Sequence, residues 1–498
     1  MISIVLVSVF IILMIAAGFW GMKKTKTLND FFIGSRSIGP WISAFSYGTA
    51  YFSAVIFIGF AGKLGWTYGL NVLWIAVGNA VIGAFLAWIV LGKRTRRMTQ
   101  NLDVVTMPEF LQERYGGKYF KIIAASVIFL FLLPYAASVF KGLGYLFEVN
   151  FHISFDIALL IMVVITGIYL ILGGYFAVTI TDFIQGFIML AGALIMVFLL
   201  MGKAGGFSES ISRISAEYFE HVSSQGSPDY IMLGALVFMT SFGVWGMPQM
   251  VQKFYAIKDE KVIKIAAYAT LGLALIISLC AYFTGALSHV FFDAPILNAA
   301  GKPDFDAMIP DLLIRCLPEG IMAVILLLIL SASMSTLSAL VLVSASSIAI
   351  DLYKGHVNPK VSKSNSVFMM RFLSGLFILI SYFIAKYEIS IIITLMSLSW
   401  GVIAGGFLAP YVYGLFWKRT TLAGAKAGMF TGMSLAIVLF YAFGAAKAPL
   451  ASSIAMIVPF AVVPLVSVFT KKPNGRIIVK AFGNAEKKHA KSKSRNEK

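Results

Sequence analysis

The chain has 498 residues, of which 59% are hydrophobic and only 12% charged, with a formal net charge of +18. A soluble chain carries about 25% charged residues, so an ordinary water-soluble domain is excluded. The basic residues sit in short stretches between apolar runs, where they set membrane topology rather than mark nucleic-acid binding.

The apolar runs are long enough to cross a bilayer, which takes about 20 residues each. The alternating pattern of a membrane barrel is absent, so the spans are helical. The expectation is an all-α membrane protein with 13 transmembrane helices, at roughly 3–21, 42–62, 70–92, 119–147, 155–175, 178–201, 229–256, 262–290, 319–345, 367–386, 389–416, 425–444 and 449–469. The first run has no basic leader and no small-residue cleavage site, so it reads as a retained helix.

Lysine and arginine set the orientation. One set of loops holds seventeen, at Lys23, Lys24, Lys26, Arg36, Lys93, Arg94, Arg96, Arg97, Arg114, Lys118, Lys258, Lys261, Lys354, Lys360, Lys363, Lys418 and Arg419. The opposite set holds seven: Lys63, Lys203, Arg213, Lys302, Arg315, Lys386 and Lys447. The richer side is read as cytoplasmic, which puts the N-terminus outside and the C-terminus inside a bacterial inner (cytoplasmic) membrane. The expected division is a transporter domain over 1–470 and a basic cytoplasmic tail over 471–498. The part of that tail from Asn484 on is lysine- and serine-rich, which reads as disordered and suited to anionic lipid.

Thr106-Met-Pro-Glu109 reads as the start of a surface helix, with Thr106 as N-cap and Pro108 in the first turn. The long outer loops 202–228 and 291–318 have room for short helices. Cys280 and Cys316 make neither a metal motif nor a disulfide framework. His152, His221, His289, His356 and His489 are scattered without paired spacing, so no enzyme is expected.

Two spans carry helix breakers at matching positions. The second contains Ser46-Tyr-Gly-Thr-Ala-Tyr-Phe-Ser-Ala54, a small and polar patch at mid-membrane. The seventh contains Gly243-Val-Trp-Gly-Met-Pro-Gln249, where glycine and proline weaken the helix most. Five spans separate them, as a five-plus-five inverted repeat requires, with repeats at about 42–201 and 229–444. Transporter sites form at such discontinuous helices. In the ninth span Ser331, Ser335 and Ser338 share one helical face, with Thr336 beside them. That stripe fits either ion-binding hydroxyls or close helix packing. Asp182 fits either a charge at a helix N-terminus near headgroups or an ion-path residue. Lys141, a lone cation near the outer end of the fourth span, reads as snorkelling outward; the alternatives are a substrate carboxylate partner or a built-in cation.

The elements Asp30-Phe-Phe-Ile-Gly-Ser-Arg-Ser-Ile-Gly-Pro40, Gly173-Gly-Tyr-Phe-Ala-Val-Thr-Ile-Thr-Asp-Phe-Ile-Gln185, Gly246-Met-Pro-Gln249 and Met334-Ser-Thr-Leu-Ser338 resemble those of the sodium:solute symporter family, most closely its sodium/proline branch. The resemblance runs from about Asp30 to Thr470 and implies the inverted-repeat fold of leucine-transporter type. It implies a sodium site between spans two and nine, from backbone oxygens near Thr49 and Phe52, the Ala332 carbonyl, and the Ser335 and Thr336 hydroxyls. Asp182 and Ser338 would form a second cation site or an exit path, although Ala339 lacks a hydroxyl wanted there. Substrate would lie near Tyr51, Ser53, Tyr135, Trp245, Pro248 and Gln249. The proline branch carries an acidic residue where this chain has Tyr51, and a Trp and a Tyr where it has Thr240 and Val244. The expected function is sodium-coupled import of a small organic solute, an amino acid such as proline or a related carboxylate. The alternatives are a pantothenate, monocarboxylate or sugar symporter, or a proton-coupled or uncoupled carrier. Sodium is the coupling ion, and the expected partners are the solute, sodium and the bilayer, with neither nucleic acid nor an obligatory protein partner.

Overall fold

The computed structural model describes residues 2–24, 32–298, 300–360, 362–387 and 390–483. The loop positions Lys26 and Asp30, and the tail from Asn484 with its expected disorder and lipid contact, lie outside the described residues. Among those residues every regular element is helical, and two isolated bridges, Ile38 with Ile257 and Leu297 with Pro303, are the sole extended pairings.

The helices run in chain order as α1 Ile2–Lys24, α2 Pro40–Tyr51, α3 Ala61–Tyr68, α4 Leu73–Gly78, α5 Lys93–Leu102, α6 Met107–Tyr115, α7 Lys118–Phe151, α8 Phe155–Lys203, α9 Phe207–Gln225 and α10 Tyr230–Phe242. They continue as α11 Pro248–Ala256, α12 Lys261–Phe291, α13 Phe305–Cys316, α14 Glu319–Ser346, α15 Lys363–Lys386, α16 Ile392–Phe416, α17 Leu422–Phe443, α18 Ala448–Ile457, α19 Pro459–Phe469 and α20 Gly475–Phe482.

By length and apolarity ten helical stretches among the described residues can cross a membrane, or eleven if one bent pair is a single span, so the expected count of 13 is not reproduced. The difference has local causes. Spans 155–175 and 178–201 are two helices that meet at a kink at Gly174, with φ 64 and ψ −177, together labelled α8; of them the stretch Gly174–Lys203 is long and apolar enough to cross, and Phe155–Ile168 is shorter. The helices from Val55 to Leu102 run on through a tight turn at Gly69–Val72 and a π-helical stretch at Asn79–Gly92. The Pro40–Tyr51 segment is too short alone, because the helix stops at its own break.

Gly174 occupies a backbone region that is essentially restricted to glycine, at a cost of about 1–3 kcal/mol for other residues. Gly174→Ala is therefore expected to lower the thermal midpoint of the purified protein, whereas Gly272→Ala, where an added Cβ meets nothing within 4 Å, is not. A thermal melt of the two variants side by side checks this.

Burial sorts the helices into a centre and a rim. The spans containing α14 and α16 are 89% and 94% buried, against 28% for α1 and 33% each for α15 and α17. A helix that is apolar all round and enclosed by protein belongs to the core, whereas one exposing Leu379, Phe383 and Val438 faces lipid. α14 packs on α2, α7 and α8, and α16 packs on α7 and on the Gly243–Gly246 turn after α10. Both expected interruptions therefore meet the two most enclosed helices.

The long loops hold helices, as anticipated: α9 in one and α13 in the other. Thr106 caps α6, its hydroxyl accepting from the Glu109 N–H at 3.1 Å, while the Glu109 carboxylate accepts from the Val105 N–H at 3.0 Å. The return bond reaches the N–H one residue before the cap, a close variant of the capping box. On the same lysine- and arginine-rich face, Glu260 is bonded by Arg97 and Lys93. Burial alone would raise its carboxyl, but those two cations hold it below the usual carboxylate range.

Candidate functional site

The first interruption falls at Phe52-Ser53, where Phe52 turns extended at φ −110 and ψ 121. Helix resumes at Ala54 and widens into a π-turn over Val55–Phe60. In an unbroken helix the Ala50 carbonyl would accept from the Ala54 N–H. Instead that N–H donates to Ser333 Oγ at 3.3 Å, and the Thr336 hydroxyl donates to the Ala50 carbonyl at 3.2 Å. Helix α14 thus supplies both replacement partners, which keeps a buried break from leaving polar groups unmet.

The second interruption separates α10 from α11. A tight turn at Gly243–Gly246 leads to an extended Met247, and Pro248 opens α11 with no N–H to lose. The two halves are bent by 47°. An added Cβ on Gly246 would meet Leu408 atoms at 2.8–3.0 Å, two of them backbone, so the close pass of α16 requires glycine. The two interrupted segments touch through the Tyr51 hydroxyl, which donates to the Thr240 carbonyl at 2.6 Å.

Oxygen atoms gather beside the first break. The Ser335 hydroxyl lies 2.8 Å from Thr49 Oγ1 and 2.7 Å from Asp182 Oδ1. The Thr336 hydroxyl lies 3.5 Å from the Thr49 carbonyl and 3.2 Å from that of Ala50. Thr49 Oγ1 gives its own proton to the Phe45 carbonyl at 2.8 Å, and the single Ser335 proton goes to one of its two neighbours, Thr49 Oγ1 or Asp182 Oδ1. Phe52 and Ala332 are buried and close by in sequence. The structure therefore brings Thr49, Ser335 and Thr336 together, and adds the Ala50 carbonyl and Ser333, which the sequence reading omitted. Carbonyls freed by an unwound helix, with hydroxyls facing them, are the donor set that sodium takes in broken-helix transporters.

Asp182 stands next to this group, fully buried within α8 and not at a headgroup. Its Oδ2 accepts from Ser46 Oγ at 2.5 Å, and Lys253 Nζ donates to Ser46 Oγ at 2.7 Å while lying 3.4 Å from Oδ2. Ser338 spends its hydroxyl on the Ser335 carbonyl at 2.8 Å, and the Ser331 hydroxyl makes no hydrogen bond. Lys253 went unread in the sequence because it falls inside the span 229–256, and its partner is on a different helix.

Beside the first break lies a small pocket lined by Tyr51, Phe52, Ser53, Tyr135, Thr240 and Trp400, among others. Of the expected substrate residues it gathers Tyr51, Ser53 and Tyr135. Trp245 is instead bonded to the Ile82 carbonyl at 3.1 Å, and Pro248 lines a separate small pocket nearer the basic face. Gln249 is buried but lines neither space. Trp400 was missed; its signal was the single Trp of its span, in the Ser397-Leu-Ser-Trp-Gly401 stretch. Its indole N–H lies near the Tyr135 hydroxyl but makes no hydrogen bond of normal geometry.

Two further buried ion pairs join distant segments. Lys141 does not snorkel: it is 3% exposed, and its ammonium lies 3.4 Å from Asp306 of α13 and 3.1 Å from the Ser390 carbonyl. Asp306 also accepts from the Ile392 N–H at 3.1 Å, tying α13 to the start of α16. Asp306 supplies the countercharge that a buried ammonium requires, and it lies on a loop helix too distant in sequence to be foreseen. Toward the basic face, Lys121 bridges Asp351 at 3.2 Å and Glu109 at 3.3 Å, and Asp351 accepts from Thr106 at 2.8 Å.

A closed polar centre between broken helices, enclosed by lipid-facing spans, defines an ion-coupled membrane carrier. The family model for the sodium:solute symporter family matches residues 31–432, and the chain belongs to that family. It is a sodium-coupled solute symporter and not an enzyme. It is 28% identical to the osmoregulated proline transporter OpuE of Bacillus subtilis, over 97% of this chain and 98% of that one. It is 30% identical to the sodium/proline symporter of Salmonella typhimurium, over 86% of each chain. The fold is shared with a sodium-coupled sialic acid symporter in its substrate-bound outward-open state, with a TM-score of 0.76 at 18% identity, covering 95% of this chain and 98% of that one. It is also shared, more loosely, with the nucleobase-cation symporter Mhp1, with a TM-score of 0.56 at 14% identity, covering 91% and 97%.

Proposed function

We propose that the chain imports a small amino acid, with proline the first candidate, together with sodium across the cell membrane. The two repeats, about 42–201 and 229–444, rock against each other around the interrupted helices, within a 13-span domain over 1–470 and with a basic tail from 471. The N-terminus faces out and the basic face is cytoplasmic. Sodium sits at the Thr49 and Ala50 carbonyls and the Ser335 and Thr336 hydroxyls; the solute sits in the cavity next to it.

The observation that carries this reading is adjacency: the oxygen cluster and the cavity share the break at Phe52-Ser53. An ion there fixes the break, and the fixed break forms one wall of the solute cavity. Sodium drives the cycle only because it binds the loading-competent state better than the others. Each sodium contributes about 2.3 kcal/mol per 100 mV of membrane potential, besides its concentration gradient.

Proline is favoured by the cavity walls and by the relatives. The Salmonella and Escherichia coli relatives are named sodium/proline symporters, and the Bacillus relative a proline transporter. Aromatic rings of Tyr51, Phe52, Phe60, Tyr135, Tyr282 and Trp400 give an apolar wall for a compact ring. The Trp400 N–H and Tyr135 hydroxyl are donors for a carboxylate. Trp400→Phe keeps the ring and deletes the donor, and is expected to raise the KM for proline about tenfold, the worth of one hydrogen bond to a charged group, with the sodium dependence unchanged. A thermal-shift screen over amino acids, carboxylates and sugars, with and without sodium, tests the substrate class. Proline is expected to stabilise the protein only with sodium present, and stabilisation by a sugar alone would contradict the reading.

A further inference from the structure

We propose that the Lys253 ammonium is a tethered cation filling the place of a second transported ion at Asp182, so that each chain binds a single sodium. The inference rests on the sodium-symport reading above and names the ion stoichiometry of that site.

Asp182 is fully buried in α8, where an ionised carboxylate requires a countercharge. Its two oxygens face the hydroxyls of Ser46 and Ser335 at 2.5 and 2.7 Å. A buried carboxylate flanked by two hydroxyls is an oxygen set fit for a bare monovalent cation. That place is taken: the Lys253 ammonium lies 3.4 Å from Oδ2 and 2.7 Å from Ser46 Oγ, and is itself 2% exposed. Among the described residues no other basic side chain lies within 4 Å of Asp182, and no other acidic one pairs with Lys253. The Tyr175 ring, 5.5 Å from the ammonium, adds a further attraction.

The charges thus balance one to one. A second mobile cation at Asp182 would face the fixed ammonium in a low-dielectric interior, where like charges repel strongly. The carboxylate is left to accept the Ser335 proton. Ser335 has one proton, and giving it to Asp182 turns the lone pairs of its oxygen toward the sodium beside Thr49 and Thr336. Lys253 belongs to α11, Ser46 to α2 and Asp182 to α8, so the tether also joins the two interrupted helices next to the ion.

The test counts sodium ions bound per purified full-length chain, using radiolabelled sodium at equilibrium in detergent without solute. Wild type is expected to bind one. K253Q is expected to bind two, because the freed carboxylate takes an ion, and K253Q/D182N is expected to return to one. Two ions on wild type, or one on folded K253Q, would overturn the proposal. Should K253Q not fold, the wild-type count decides, with one ion upholding the proposal and two overturning it. The S335A/T336A variant separates the two levels of the argument. Retention of its one sodium defeats the candidate sodium site, whereas the K253Q count alone judges the tether.

Discussion

Replacing Ser335 and Thr336 together by alanine should raise the sodium concentration for half-maximal uptake by at least about 100-fold. Each hydroxyl facing a cation contributes about 1.5–3 kcal/mol, so losing both costs about 3–6 kcal/mol, or two to four decades in affinity. The loss should be specific to sodium, because neither side chain lines the solute cavity. The backbone break should persist only in part, since Thr336 also holds the Ala50 carbonyl. A KM for solute that recovers at very high sodium would separate ion loss from misfolding. An unchanged sodium dependence in proteoliposome uptake would remove these residues from the site.

Neutralising Asp306 should destabilise the protein more than deleting the whole ion pair. Asp306→Asn leaves the Lys141 ammonium buried without its countercharge, and breaking a buried pair from one side costs about 3–5 kcal/mol. The Ile392 N–H keeps an amide oxygen as partner, so the loss is mainly electrostatic. Removing both charges with Lys141→Met and Asp306→Leu should recover much of the stability, because the desolvation of two ions goes as well. Thermal midpoints of the single and double variants in detergent measure this. Equal destabilisation by both would mean that the contact acts through packing and not through charge. A functional consequence accompanies the stability change. The pair ties α13 to α7 and to the start of α16, so weakening it should ease movement of these helices against one another.

Much of the architecture was legible because membranes impose few choices. Apolar run length, the lysine and arginine bias and the Gly-Pro content of Gly243–Gly246 and Met247-Pro248 marked the helices and the second break. The first break was visible as the polar patch around Ser46 to Ala54, since a lipid-facing helix would not place Tyr47, Thr49 and Ser53 together. The count of spans was harder. Glycine at 174 kinks the backbone between two helices with no loop to separate them, and a tight turn at Gly69–Val72 lets two spans read as one.

The hydroxyls at Ser335 and Thr336 were legible by spacing and by resemblance; their partners were less so. Ser333 sits on the other side of α14 from Ser335, and its role comes from an N–H freed on α2, which no pattern within one helix records. The pairs Asp182 with Lys253 and Lys141 with Asp306 join distant segments. A lone buried charge in a sequence announces that a partner exists, but not which one. The substrate wall was half legible: the broken segments contribute Tyr51, Ser53 and Thr240, whereas Trp400 enters from α16, a helix with no break to mark it.

The most direct measurement of the account is uphill accumulation of labelled proline in proteoliposomes under an imposed ion gradient. An inward sodium gradient should drive accumulation above the outside concentration, and an inside-negative potential should increase it. The same gradient in potassium or choline, or a proton gradient without sodium, should leave proline at or below equilibrium. Equal accumulation without sodium would contradict an ion site built from the Thr49 and Ala50 carbonyls with the Ser335 and Thr336 hydroxyls.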